Sequence, residues 1–403
     1  MLRLKNTLNI KTLTFLSLIF VFSCRNEPKT TNLKPIPENK DSIANAQRNA
    51  NSEGLYEDFG HKWGFIDTSG KVIIETKFDD AGSFSEGLAA VRIGDRWGYI
   101  NAKGETQIEI LYNGAWSFSN GVGRVLTFDG KTGYLDRQGK WAILPRYDYA
   151  SDFSEGLAVV EVDGRFSYIN TNGRVVFNEV FEQANAFSNG IAKVKVKDKY
   201  GVINRSGKFV LSPKYQAVTM QKNGVVKAKS STRIAFFNNK GKILNAYKND
   251  TIAFFQNNIS IANGQKNQVF FVDKKLKPIN NKTYDDIQFF SDTLFTIKKD
   301  NKIGLVDIDG KEVLEPQLQQ IYQSTNNFIA FKKDDRWGFM DTKLNIIIEP
   351  QFKLVWDFQG EFARVATYEG IGYINKAGKM VISPQFKDAR DFSEGFARFM
   401  KKI

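Results

Sequence analysis

The chemistry open to this chain is bounded first by what it lacks. One cysteine (Cys24) and one histidine (His61) occur in 403 residues. That stock excludes a cysteine or cysteine–histidine zinc site, an internal disulfide and a thiol nucleophile in the folded part. No catalytic residue, metal site or cofactor is expected. Acidic residues are outnumbered by basic ones, 44 against 57, for a formal charge of +13. The excess is spread along the chain and not blocked, which suits a lysine-rich surface that keeps a β array soluble and its edges unpaired. Such a surface can meet anionic envelope polymers or acidic proteins; a nucleic-acid partner is not expected. What the chain does have is 42% hydrophobic and 13% aromatic residues, with 34 Phe and 14 Tyr. That is ample for a core and fits β structure better than helix.

The N-terminus reads as an export signal. Arg3, Lys5 and Lys11 precede an uncharged apolar run at residues 12–22, eleven residues long. These are the proportions of a signal peptide, and the run is too short to span a bilayer comfortably. It ends in Val21-Phe22-Ser23-Cys24, which resembles the lipobox of bacterial lipoproteins, although Phe22 departs from the commoner small or aliphatic residue. The resemblance implies a signal peptide at 1–23, cleavage before Cys24 and diacylglyceryl attachment to its thiol, hence a membrane contact through that anchor. Arg25, and not Asp, follows the cysteine, which by the same resemblance favours the outer membrane as destination. Residues 24–50 are rich in Asn, Pro, Lys and Thr, with almost nothing to bury, and are expected to form a disordered tether.

From residue 51 to 403 the sequence repeats. Positions equivalent to Trp63 recur at 97, 132, 166, 200, 234, 269, 303, 337 and 371, in steps of 34 or 35 residues. The second position is Gly in seven of ten units, the third aromatic in eight, and the fifth Asp or Asn in all ten. Gly follows three residues after the Asx in eight units. An apolar stretch, an Asx, two polar residues, Gly and a second apolar stretch make a β-hairpin: the Asx side chain bonds its own backbone and the Gly takes positive φ. About ten irregular residues with one aromatic follow, and then Phe-Ser-Glu/Asn-Gly opens a third strand, as in Phe84–Val91. A short charged turn such as Gly94-Asp95-Arg96 leads into the next motif. Each unit is therefore expected to be a three-stranded antiparallel meander covered on both faces by its neighbours.

This pattern resembles the WG-repeat family of bacterial proteins over residues 52–403, most closely at Trp63-Gly64, Trp97-Gly98 and Trp337-Gly338. The resemblance implies an all-β tandem array of about ten repeats that works as a surface and names no ligand. Ser52-Glu53-Gly54-Leu55 looks like a spare third strand. Ten units also exceed the usual propeller count of four to eight. An open solenoid or superhelix is therefore favoured over a propeller-like ring.

Sites that look chemical fall on repeat positions. Asp67-Thr68-Ser69-Gly70 and Asp307-Ile308-Asp309-Gly310 occupy the hairpin turn. Glu86, Glu155 and Glu394 could suggest the paired acids of an envelope hydrolase acting on glycans, but Asn120 and Asn189 replace them in equivalent copies. Trp63, Trp97 and Trp337 read as core wedges. Trp116, Trp141 and Trp356 lie off the motif and are the candidates for exposed stacking. The expected function is a non-catalytic binding or scaffolding surface for an envelope protein or polysaccharide, with a mechanical spacer as a further alternative. The diverged units between 200 and 336 are the preferred place for a specialised face.

Overall fold

The computed structural model describes residues 61–401 apart from 221–223, 248–251, 255–259, 264–267, 274–276, 280–281, 292 and 324–326. The signal segment, Cys24, the tether and the strand-like copy at 52–55 lie outside the described residues. The described chain is built of antiparallel strands and turns.

The hairpin forms as its turn chemistry demands. In all ten units the Asx Oδ1 accepts the backbone N–H four residues on, from Lys71 onto Asp67 to Lys379 onto Asn375. The glycine three residues after the Asx has φ between 73° and 86° in all eight units that carry it. Leu344 takes the same conformation, φ 69°, in one of the two units that lack it.

The first strands are β1 (Trp63–Asp67), β2 (Val72–Phe78), β3 (Asp80–Ala81), β4 (Ala89–Ile93), β5 (Arg96–Ile100) and β6 (Thr106–Tyr112). Their pairing corrects the expected unit in two ways. The residues taken as irregular are strand: β2 runs on to Phe78, and after one residue β3 adds a short fourth strand. The sheet is also offset from the sequence repeat, because its order is β3-β4-β5-β6. The tight turn at Gly94-Asp95 forces β4 onto the next unit's motif strand. Each sheet thus takes its first half from one repeat and its second half from the next.

That offset leaves β1 and β2 without their first half, and the end of the chain supplies it. Phe396–Lys401 pairs antiparallel with β1, from Trp63 opposite Met400 to Asp67 opposite Phe396. The contacts across this junction copy those within the array. The Ser393 hydroxyl donates to the Phe84 carbonyl at 2.7 Å, as Ser85 does to Phe118, Ser119 to Phe153 and Ser154 to Phe187 at 2.8 to 2.9 Å. Gly70 lies on Ile382 as Gly104 lies on Ile74 and Gly139 on Ile108. The expected all-β tandem array stands, and its two ends are paired strand to strand, as in the propeller-like alternative. The end strand satisfies β1's free backbone groups, which an open array would leave to solvent.

The core is correspondingly divided. Nine buried clusters are found among the described residues, each filling the space between two successive sheets. One of them, with Ile66, Tyr373, Ile382 and Phe399, spans the closure. Of the three tryptophans expected as wedges, Trp63 and Trp337 are buried, and Trp97 is half-buried against the cluster that contains Tyr99.

The motif glycine has a steric cause. In the seven Gly-bearing units the edge strand bulges over this residue, as Trp63 pairs with Phe78 while Phe65 pairs with Ile74. A Cβ on Gly64, Gly98, Gly133, Gly201, Gly304, Gly338 or Gly372 would come within 2.4 to 2.8 Å of backbone in that strand. Where Ala235 stands instead, the edge strand Ile243–Tyr247 pairs with it in register. Proline stands within the bulge at 145, 213, 316, 350 and 384, removing donors from an edge that could recruit another strand.

A further device was not foreseen. The residue after the edge strand caps the tight turn of its own sheet: Asp79 accepts from Gly94 N at 2.8 Å, Glu182 from Asp198 N at 3.0 Å and Asp285 from Asp300 N at 2.9 Å. Hydrogen bonds from Lys62 and Gly94 hold the Asp79 carboxyl below its ordinary range, and Lys131 does the same for Asp148.

Gly338→Ala is expected to cost about 1–3 kcal/mol through overpacking. Gly87→Ala, with nothing near its Cβ and φ of 82°, should cost only the left-handed backbone penalty, about 1–2 kcal/mol. Equal, small effects in chemical denaturation would remove the steric explanation. Deleting residues 396–403 should lower Tm by about 5 °C or more and induce self-association at the bared β1 edge; an unchanged, monomeric protein would show that the ends do not hold each other. Because the folded pKa values of Asp79 and Asp148 are depressed, their contribution is present above about pH 4 and lost as pH falls through the folded values. Tm should therefore be level from neutral pH to about 5 and drop below about 4, and Asp79→Asn should flatten part of that drop.

Candidate functional site

The interfaces between sheets hold one row of positions where apolar and charged residues alternate. These residues lie opposite the third motif residue: Ala90 faces Tyr99, Val159 faces Tyr168 and Ala330 faces Phe339. At the same place Arg124 faces Tyr134, Arg364 faces Tyr373 and Arg398 faces Phe65. An arginine between small or apolar neighbours, as in Gly123-Arg124-Val125 and Ala363-Arg364-Val365, is the sequence signal that could have flagged the site.

Two of these arginines make nearly the same stack. The Arg124 guanidinium lies 4.0 Å from the Trp116 ring centroid, and Arg364 lies 4.5 Å from that of Trp356. Across the interface, Arg124 Nε donates to Asp152 Oδ1 at 2.8 Å and Nη1 to the Ala150 carbonyl at 2.6 Å. Arg364 Nε donates to Asp391 Oδ1 at 2.5 Å and Nη1 to the Ala389 carbonyl at 2.8 Å. Both arginines are buried, at 5% and 6% exposure. Each pair combines a cation over a π face with charge-assisted hydrogen bonds in a partly desolvated place.

The third stack is built differently. Arg398 lies 5.0 Å from the Trp63 ring, with Arg390 at 5.7 Å from the same ring. Arg390 stands where Trp116 and Trp356 stand in the other two, and Ser83 stands where Asp152 and Asp391 stand. The nearest carboxylate to Arg398 is Asp80, at 3.8 Å. Arg390 Nη2 donates to Asp388 at 3.0 Å, while the Nε of Arg390 and of Arg398 have no acceptor. Burial pushes the Arg398 guanidinium down to about 10, which leaves it charged at neutral pH.

The three tryptophans proposed for stacking are therefore not brought together. Trp116 and Trp356 are half-buried, each with an arginine over its ring. Trp141 stands on an edge strand, 37% exposed, with Tyr112 edge-on at 6.0 Å. Leu144, on the same strand, is 66% exposed, and Leu111, at the equivalent place in β6, and Val175, in the next repeat, are 54% and 59% exposed.

The glutamates of the strand-opening turn have structural partners. Glu86 accepts from Gly121 N at 3.0 Å, Glu155 from Gly190 N at 3.1 Å, and Glu394 from Glu86 N and Gly87 N at 2.7 and 2.9 Å. Each carboxylate reaches the same turn of the next sheet. These residues also sit at positive φ, between 52° and 54°, a strained place for Glu that the cross-sheet bonds offset. Within the diverged units, a shallow open depression is lined by Ala217, Thr219, Lys227, Lys229 and Ile234.

Among solved structures the chain is similar to a eukaryotic initiation factor, at 13% identity over 77% of this chain and 97% of that one, TM-score 0.46. It is also similar to the computationally designed Ika8 protein, at 15% identity over 65% and 93%, TM-score 0.30. BamB from Moraxella catarrhalis matches at 11% identity over 80% and 90%, TM-score 0.26. No curated protein matches. The WG containing repeat is found at residues 63–97, 97–131, 133–166, 166–200, 200–229, 303–337, 337–367 and 371–402, leaving out the units that begin at 234 and 269. With those matches covering well over half of its length, the chain belongs to the WG-containing repeat family.

Proposed function

We propose that this protein is a non-catalytic binding or scaffolding component of the cell envelope, exported and lipid-anchored through Cys24, with the outer membrane as its destination. Its ring receives an envelope protein or polysaccharide. The observation that carries this reading is how polar and apolar groups are divided. The recurring carboxylates, Asx side chains and serines are engaged in turns and between sheets, while aliphatic side chains stand exposed in the corresponding outer segments of successive repeats. Leu111, Leu144, Val175 and Val180, each more than half exposed, and Trp141 on the strand that carries Leu144 supply exposed apolar area in three consecutive repeats, the kind of surface that marks an interaction. Glu86, Glu155 and Glu394 serve as fasteners, which supports the non-catalytic reading.

Full-length protein carrying Leu144→Lys and Val175→Lys, used to capture partners from solubilised envelope fractions, tests the reading. Capture is expected to fall about tenfold, as apolar contact is replaced by buried charge, with Tm unchanged because both positions are exposed. Equal capture by both proteins would remove this surface as the binding face. Cys24→Ser should shift the protein from the membrane to the soluble fraction, and retention in the membrane would end the lipid-anchor assignment.

A further inference from the structure

We propose that the cleft between the first and second sheets, where Arg390 and Arg398 meet Trp63, binds a carboxylate side chain of an acidic peptide segment in a partner protein. The inference rests on the binding role proposed above and names the chemistry of one partner contact. The ring itself shows what the cleft is shaped for. In two equivalent places a stacked arginine is completed by an aspartate from the next sheet, Asp152 for Arg124 and Asp391 for Arg364. In the third, Ser83 replaces the aspartate and a second arginine replaces the tryptophan. One acceptor has been removed and a cation added.

Two consequences are visible. Both Nε groups at this place lack an acceptor, a costly condition for a buried N–H. The cleft is also more open than its counterparts. Arg398 and Arg390 side chains are 24% and 40% exposed, against 6% and 7% for Arg124 and Arg364. Asp80 and Asp388 flank the pair and balance its charge. Asp388 is bonded to Arg390 Nη2 and Asp80 stays 3.8 Å from Arg398, so neither takes the place of the missing aspartate. A planar carboxylate entering beside Ser83 meets the guanidinium edge in the way that Arg recognises such groups. A peptide is the favoured source because the group that closes the other two stacks is itself an aspartate in a polypeptide, followed by a phenylalanine packed into the core (Asp152-Phe153 and Asp391-Phe392).

The test titrates the full mature protein with a hexaglutamate peptide at low salt by calorimetry, with polygalacturonate as the carbohydrate source of the same group. Ser83→Asp supplies the missing carboxylate from within. It is expected to raise Tm without any ligand and to weaken hexaglutamate binding at least tenfold. Ser117→Asp makes the same change of charge at the equivalent position opposite Ala90, where no arginine waits, and should leave binding unchanged. Equal losses in the two variants would mean diffuse attraction to a basic protein and would overturn the proposal. So would a lower Tm for Ser83→Asp, an absence of hexaglutamate binding to the wild type, or loss of polygalacturonate binding alone. Envelope capture that persists while hexaglutamate fails would sink this inference and leave the wider binding role standing; the reverse result would sink the wider role.

Discussion

No repeat of this protein owns a complete sheet, and that constraint governs the rest of the structure. The tight turn joining β4 to β5 is too short for anything but a hairpin, so the last strand of one repeat must pair with the first strand of the next. A chain made this way always finishes with half a sheet at each end. The halves are complementary by construction, since Phe396–Lys401 needs a motif strand and β1 needs a third strand. Closure follows from the offset, without a dedicated closing element.

The same constraint explains why the core is distributed. With each sheet apolar on both faces, the buried area lies between sheets, and stability is a sum of neighbour terms. In an open array the terminal faces would need polar caps. Here Ile66 and Phe399 of the first sheet pack on Tyr373 and Ile382 of the last. The motif glycine belongs to this scheme too. It admits the bulged edge strand at close range, and the bulge turns that strand from pairing in one sheet toward the short strand of the next. Met380–Ala389 makes the passage without interruption: Phe386 pairs with Ile371 on one side and Lys401 on the other.

Much of this was legible in the sequence, and the exceptions have physical reasons. The hairpin was readable from Asx and Gly because turn chemistry is local, and all ten Asx side chains do what that chemistry requires. The glycine at the second motif position was visible as a pattern, but its cause was not, since the clash is with a strand ten residues away whose bulge no periodicity reveals. The pairing of the two ends was not legible, because the strand-like residues at 52–55 resemble a spare third strand that could serve the same place. Strand pairing between residues as far apart in sequence as Trp63 and Met400 leaves no mark in local composition. Trp116 and Trp356 were noticed for standing off the motif, whereas the arginines eight residues later, which determine their surroundings, were absorbed into a general surplus of positive charge.

Those arginines bear on a problem peculiar to a ring of similar parts. The near-equivalent interfaces between sheets give a folding chain many wrong neighbours of almost the right shape, and apolar packing alone discriminates among them weakly. A buried ion pair contributes little net stability against an apolar alternative, yet breaking one leaves an uncompensated charge at a cost of about 3–5 kcal/mol. Arg124 is satisfied only if the following sheet brings Asp152, and Arg364 only if it brings Asp391. A sheet presenting Ser117 or Ala186 at that position would strand the arginine. The two complete stacks thus penalise misassembly at the third-to-fourth junction and at the junction where the last sheet meets the first, next to the strand Phe396–Lys401 that must be in place before β1 can pair with it.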